Sequence, residues 1–598
     1  MAAVHTDLVD RIMPFVADSA LDAITTAAAT NDTAHTTDEI NSNGVPEQPL
    51  FPEELETYSF DLKGLREWLI AFFVCDFNVD VGVEVEYMFP STELSSADIE
   101  QICISSFPEK SNSDNLSSSS FHFKFRHSSS NIPHTPSPHD PSHWYGYCLF
   151  RQKYDPTAKR SYRQKSLILV SQHEFPPLFQ HVVKTIGMLA FDVSPAVVES
   201  ACSNIAAWGK PQIGVRELPF LGEILEVHTP PHYAFPLQGL MPKSSENAEL
   251  KVQCTEIHTS GPVGSWARLA ALLSSLSELY VIFERALLSE PLVVLALDPT
   301  DASEFVSAVV DLIRPIPFAG DSRPFFPMQS DIPSELRDPL PLRHYLIGIT
   351  NPFFLKRLLD QNPPSSDSSS GTYVVYLAGP DTRPKSLLSY HTYISSRSST
   401  TIEPVKPVEW DFPEQMTPTM EAKTYIAKDH GFVQKLEEKL RDPDVSPQAF
   451  SVLLRRHFAL LTAYFLAPLN RYLATLATPC TSPRPPSSSH SINHPSITPP
   501  SLITSSPAFI PPPSPSPLHE HTQKTKHSID IANFSEEEFI QSLWKYGCSV
   551  PFKGKTNYAR MKNTETFYRK FCRSPSFYTW LEMKMMLNPE GKVENGGG

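Results

Sequence analysis

A few residue groups have the types to do chemistry, and each fails on spacing or setting. Gly547 and Gly554-Lys555-Thr556 have the look of a phosphate loop, where backbone amides and a lysine would hold a phosphate. Their glycines stand seven apart instead of five, and no apolar strand leads into them. His228 and His232 flank Pro230-Pro231 and offer two imidazoles, but no third metal ligand is evident beside them. No G-x-S-x-G turn is present to expose a serine nucleophile. Asp298 and Asn351 follow two apolar runs. If those runs are parallel strands, both residues fall on the strand-end edge where open α/β sheets bind ligands, although either serves equally as a helix cap. Arg323, in Asp321-Ser322-Arg323-Pro324-Phe325-Phe326, reads either as a contact for a partner or as an ion pair with Asp321. These residues make no catalytic constellation, and no cofactor or metal is expected.

Composition narrows the classes further. The 598 residues are enough for several domains. With 58 prolines against 22 glycines, and many Ser/Thr/His clusters, a good part of the chain reads as linker. The net charge of −16 argues against a nucleic-acid partner, which needs a clustered basic face. Eight scattered cysteines without a C-x-x-C pair fit a reducing compartment. The N-terminus does not read as a signal peptide. The apolar stretches break at Asp76 and at Glu284-Arg285, so no transmembrane segment is expected and the chain reads as soluble and intracellular.

The elements that must position these residues can be read from periodicity. Residues 1–55 read as disordered, with a short helix around Ile12 to Ile24. Over 56–190 come an apolar run at Leu69–Phe77, a half-buried strand from Val79 to Phe89, a helix capped by Ser95 or Ser96, strands at Phe121–Phe125, Trp144–Arg151 and Lys165–Ser171, and a helix through Leu178 and Ile186. Ser/His/Pro loops are expected at 110–120 and 127–143. Residues 200–360 read as a central α/β unit: a hairpin at Leu218–Val227, buried strands at 292–296 and 345–350, and helices between them. Asp301 and Glu304 have capping-box spacing for the helix after the first strand. Residues 361–429 read as connecting loops. Residues 430–590 read as helical, with Leu454, Phe458, Leu461, Phe465, Leu469 and Leu473 on one stripe, interrupted by a disordered Pro/Ser insertion at 478–530. The fold class is therefore α/β plus α.

Seven segments in order carry a family resemblance: WYGYCLFRQ from Trp144, QKSLILVS from Gln164, SEPLVV from Ser289, DSRPFF from Asp321, GITNPFF from Gly348, LRRHF from Leu454 and SPSF from Ser574. Together they resemble the tripartite DENN proteins, nearest the DENN domain-containing protein 6 subgroup and close to the Avl9 and Afi1 groups. The resemblance spans residues 60–585, and the Ser/Pro insertions are its departures. It implies a longin-like first module, a central three-layer α/β module and a helical last module. It also implies a guanine-nucleotide exchange factor for a Rab GTPase, bound peripherally to recycling endosomes or secretory vesicles through its partners. If the strand-end edge faces the Rab, Asp298, Arg323, Phe325, Asn351 and Phe353 are the candidate contacts.

Such a reaction makes and breaks no covalent bond. A Rab that holds GDP at nanomolar affinity has ~12 kcal/mol of binding free energy. An exchange factor must favour the nucleotide-free state, because coupling is reciprocal. A docking area of roughly 1,600 Å² supplies this without a nucleophile. Two alternatives stay open at this stage: a non-catalytic scaffold that prefers GTP-loaded Rabs, and an α/β enzyme with a pocket at the Asp298/Asn351 edge.

Overall fold

A computed structural model describes residues 60–108, 117–128, 142–159, 161–230, 254–327, 344–361, 371–377, 424–479, 527–529 and 534–586. The expected N-terminal disorder and its short helix lie outside these residues, as does the Pro/Ser tract between Cys480 and Lys526.

The first unit opens with α1 (Leu62–Arg66). It continues through β1 (Ala71–Asn78), β2 (Gly82–Phe89), α2 (Ser96–Ser106), β3 (Ser117–Arg126), β4 (His143–Tyr154), β5 (Tyr162–Ser171), α3 (Pro176–Asp192) and α4 (Val197–Ala206). The strands form one antiparallel sheet, β2-β1-β5-β4-β3. Ser95 caps α2 by accepting from the Asp98 amide, 3.0 Å. The two strands, helix, three strands and helix read from periodicity are present in that order. Three details differ. Val79 and Val81 belong to the turn before β2, and β2 is an exposed edge strand. Ser117–Ser120, read as loop, extends β3 because Leu149–Gln152 of β4 pair with it. β3 is buried on both faces: Phe121, Phe123 and Phe125 face one core, and His122 faces helices on the other side.

The hairpin comes next, as β6 (Gly214–Phe220) and β7 (Glu223–Thr229), with β8 (Cys254–His258) added parallel to β7. Its buried Leu218, Phe220, Leu225 and Val227 join the core of the first sheet with α3 and α4. This differs from the assignment of the hairpin to the central unit. The apolar alternation shows which residues are buried, but not which core receives them.

The central unit runs α5 (Trp266–Ala271), a 3-10 turn at Leu276–Glu278, α6 (Leu279–Leu287), β9 (Leu292–Ala296), α7 (Pro299–Leu312), β10 (Asp321–Arg323), β11 (Tyr345–Ile349), α8 (Pro352–Gln361) and β12 (Tyr373–Leu377). The sheet is parallel in the order β10-β11-β9-β12. Every residue of β9 and β11 is buried, as their unbroken apolar runs require. β12 replaces loop within the span read as 361–429. Asp298 caps α7, three residues before the expected box, because Pro299 starts the helix. Asp301 and Glu304 instead grip Arg268 of α5.

The helical unit comprises α9 (His430–Arg441), α10 (Pro447–Leu476), the short ladder of β13 (Ala477–Pro479) with β14 (His527–Ile529), then α11 (Glu536–Tyr546), α12 (Asn557–Cys572) and α13 (Pro575–Met586). That ladder ties together the two ends of the stretch read as a disordered insertion at 478–530. α10 is long and apolar enough to cross a bilayer by composition. Its stripe from Leu454 to Leu473 is buried in a core shared with the central sheet, and Arg455 grips Asp311 of α7 at 2.6 and 3.0 Å, so it is a core helix here.

Glu284 of α6 sits inside that shared core. Its carboxylate accepts from the amides of Tyr425 and Ile426 at 2.8 and 2.7 Å, and Ile426 in turn pairs with Phe552. Burial raises its pKa to about 7, against the lowering pull of the two amides and Lys553. A raised folded-state pKa contributes stability that is full below the unfolded value and is lost as pH rises through about 7. Wild type should therefore lose roughly 2 kcal/mol of unfolding free energy between pH 5.5 and 8 through this group. In Glu284→Gln that increment should vanish from the denaturation midpoints, although the amide costs one of the two hydrogen bonds.

Candidate functional site

The strand-end edge exists as expected. All four strands of the central sheet are parallel, so Asp298, Pro324-Phe325, Asn351 and the end of β12 leave it at one edge. β3 of the first unit lies against this edge and against α7. The two α/β units therefore share a surface.

The seam is built around β10. Arg323 is buried, 4% exposed, and its Nε donates to both carboxylate oxygens of Asp321 at 2.9 Å. Its other nitrogens reach the first unit, donating to the Lys124 carbonyl on β3 at 3.1 Å and approaching His143 Nε2 on β4 at 3.4 Å. Burial alone would raise the Asp321 pKa, but Arg323, with Lys124 behind it, outweighs burial and holds it down at about 2. Phe325 is 1% exposed. Its ring meets Phe121 edge-on at 4.9 Å and joins the core on that face of the first sheet. The sharp turn that delivers it depends on Gly348: a Cβ there would lie 2.1 Å from the Pro324 carbonyl oxygen. The Phe326 amide donates to the Gly348 carbonyl at 2.8 Å.

Polar contacts extend the seam. Asp298 Oδ1 accepts from the Thr300 amide at 2.8 Å as the cap, while Oδ2 accepts from Ser119 Oγ of β3 at 2.9 Å. His122 lies between Gln180 of α3 and Ser307 of α7, at 3.1 Å from each. Complete burial lowers its pKa to about 3, so it is neutral. Ser119, His122 and His143 were not singled out from sequence. The one hint was a histidine alternating with phenylalanines in a strand.

The five candidate contacts thus divide. Arg323 and Phe325 are consumed within the chain, so the ion-pair reading of Arg323 is the one realised. Asp298 is both a cap and a seam contact. Asn351 caps α8, its Oδ1 accepting from the Phe353 amide at 2.9 Å. Phe353, in the first turn of α8, is 39% exposed. The other motifs resolve as structure. Gly547 ends α11 and Thr556 caps α12, with Lys553 between them bonded to the Tyr425 carbonyl. His232 lies outside the described residues, and His228 stands on β7 facing His258 of β8.

No family model matches the chain. It is similar along most of its length to curated proteins. Protein DENND6A of Gallus gallus is 27% identical over 534 residues, covering 86% of this chain and 79% of the relative. Protein DENND6B of Homo sapiens is 26% identical over 548 residues, covering 86% and 79%. Protein DENND6 homolog of Dictyostelium discoideum is 28% identical over 476 residues, covering 69% and 62%.

The seam predicts a graded response to truncation. Arg323→Ala leaves Asp321 buried and unpaired and should cost about 3–5 kcal/mol, and Phe325→Ala a similar amount through its cavity. Asn351→Ala should cost about 1 kcal/mol as a lost cap. Denaturant titrations of the three variants check this order.

Proposed function

We propose that this chain, a homologue of the DENND6 proteins, is a guanine-nucleotide exchange factor that promotes GDP release from a Rab-family GTPase in membrane trafficking. The Rab docks on the face where the first and central units meet. One observation carries the docking site: the two α/β units are joined through Arg323, Phe325 and Asp298, so a partner can bridge both at once. Phe353 stands 39% exposed at the strand-end edge of the central sheet, in the first turn of α8. An aromatic side chain desolvated at the centre of a docked face is a common anchor of protein interfaces.

The mechanism needs area and a preference for the empty GTPase, not a nucleophile. Contacts that fit the nucleotide-free switch regions better than the GDP-bound ones weaken GDP by the same factor. The protein would act from the cytoplasmic side, held on recycling endosomes or secretory vesicles by its partners.

A panel of Rabs loaded with fluorescent GDP tests the reading. Catalytic amounts of the chain should speed release from one Rab or a few related ones; unchanged release from every member would overturn it. Binding that prefers the GTP-loaded form over the empty one would identify a scaffold instead. On the responsive Rab, Phe353→Asp should lower kcat/KM roughly tenfold, equivalent to 1.4 kcal/mol at the interface, with Tm unchanged.

A further inference from the structure

β7 and β8 carry the same four-residue pattern, Glu226-Val227-His228-Thr229 and Glu256-Ile257-His258-Thr259. Their parallel register sets Glu226 beside Glu256, Val227 beside Ile257 and His228 beside His258. Strand alternation sends Val227 and Ile257 into the core and places both glutamates and both histidines on the opposite face. Two carboxylates and two imidazoles therefore converge at the open edge of the three-stranded sheet. The imidazole centroids are 4.5 Å apart. His228 Nε2 lies 2.8 Å from Glu226 Oε1 and 3.5 Å from Glu256 Oε1, and His258 Nε2 lies 3.1 Å from Glu256 Oε1. The ligand atoms of His228, Glu256 and His258 all lie within 4.8 Å of one another. Ligands of a tetrahedral zinc stand about 3.4 Å apart, given bonds near 2.1 Å. Small side-chain rotations close the difference.

We propose that His228, His258, Glu226 and Glu256 form a binding site for a divalent transition-metal ion, zinc by preference, that clips β8 to β7. Two carboxylates balance the charge of a divalent ion bound by neutral imidazoles. Paired imidazoles select against calcium and magnesium, which take oxygen ligands. The side chains are half-buried, so an ion reaches them from solvent. Arg455 is a positive charge that acts on His258, and Asp311 already holds that guanidinium. β8 is five residues long and lies at the edge of its sheet, pairing with β7 alone among the described residues. A metal cross-link there closes the connection of residues 229–257 between the two histidines. The sequence pattern paired His228 with His232 and gave no sign of Glu256 and His258, which lie 28 and 30 residues beyond His228 on a neighbouring strand.

The full chain, stripped by chelator, is titrated with Zn²⁺ by calorimetry and by thermal melting, in parallel with His228→Ala/His258→Ala. Wild type should bind one equivalent that the variant lacks, and its Tm should rise by a few degrees at a hundredfold excess over Kd. The variant's Tm should not respond to zinc, and without metal the two melts should match, which separates metal binding from misfolding. Equal stoichiometry in both proteins, or a zinc-dependent Tm rise that survives in the variant, would overturn the site. The Rab assay is unaffected by either result, because this face is argued independently of nucleotide exchange.

Discussion

The relation of the two α/β units rests on one buried charge pair. Asp321 and Arg323 stand two residues apart on the same short strand, and neither is exposed enough for water to satisfy it. Burying such a pair gains little net free energy over apolar side chains of similar size. Its importance is geometric. Arg323 has more donors than Asp321 can use, and others reach the Lys124 carbonyl and His143, on two strands of the other unit. Any arrangement that moved β3 away from β10 would strand those donors in a low-dielectric setting, at a cost of about 1–3 kcal/mol each. The charge thus specifies where one sheet sits on the other, and Phe325, two residues on, supplies the apolar contact area.

The parts legible in sequence were those whose signal is local. β9 and β11 are continuous apolar runs, and only a strand covered on both faces uses such a run economically. α10 announces itself by a stripe of six apolar residues. β10 has no such signal: three residues, two of them charged, make a strand only because Tyr345–Ile347 of β11 accept them in register. β12 was hidden beside a Ser-rich stretch, although Tyr373–Leu377 is itself apolar. The seam was not legible, since Arg323 and the Lys124 carbonyl are 199 residues apart. The same reason explains the hairpin, whose alternation was read correctly and assigned to the wrong core. Of the five site candidates, sequence located the edge but could not say that Asp298, Arg323 and Phe325 would be used inside the chain.

The two inter-unit boundaries differ in kind. Between the central and helical units the apolar core is continuous, with Phe283 against Phe458 at 5.2 Å and Tyr425 against Phe567 at 5.6 Å. Glu284 and Arg455 add hydrogen bonds within that core. Separating these units would expose a core, so they behave as one body. Between the first and central units the contacts among the described residues are more polar, and include Ser119 to Asp298, His122 to Ser307, Arg323 to the Lys124 carbonyl and His143, and the Phe121–Phe325 pair.

That contrast bears on how such a chain could work on a bound GTPase. A partner that binds both sides of the polar seam senses the angle between the two sheets, and any strain it imposes falls first on the weaker boundary. Polar seam contacts exchange readily for contacts with a partner's polar loops, whereas the apolar boundary has no such substitute. Hydrogen bonds that are directional but few permit small rotations that a packed core resists. The buried Arg323 sets the limit of such rotation, because its donors must keep their acceptors throughout. Under the exchange activity proposed above, the central and helical units would form the fixed base, and the first sheet would be the part that adjusts as the nucleotide leaves.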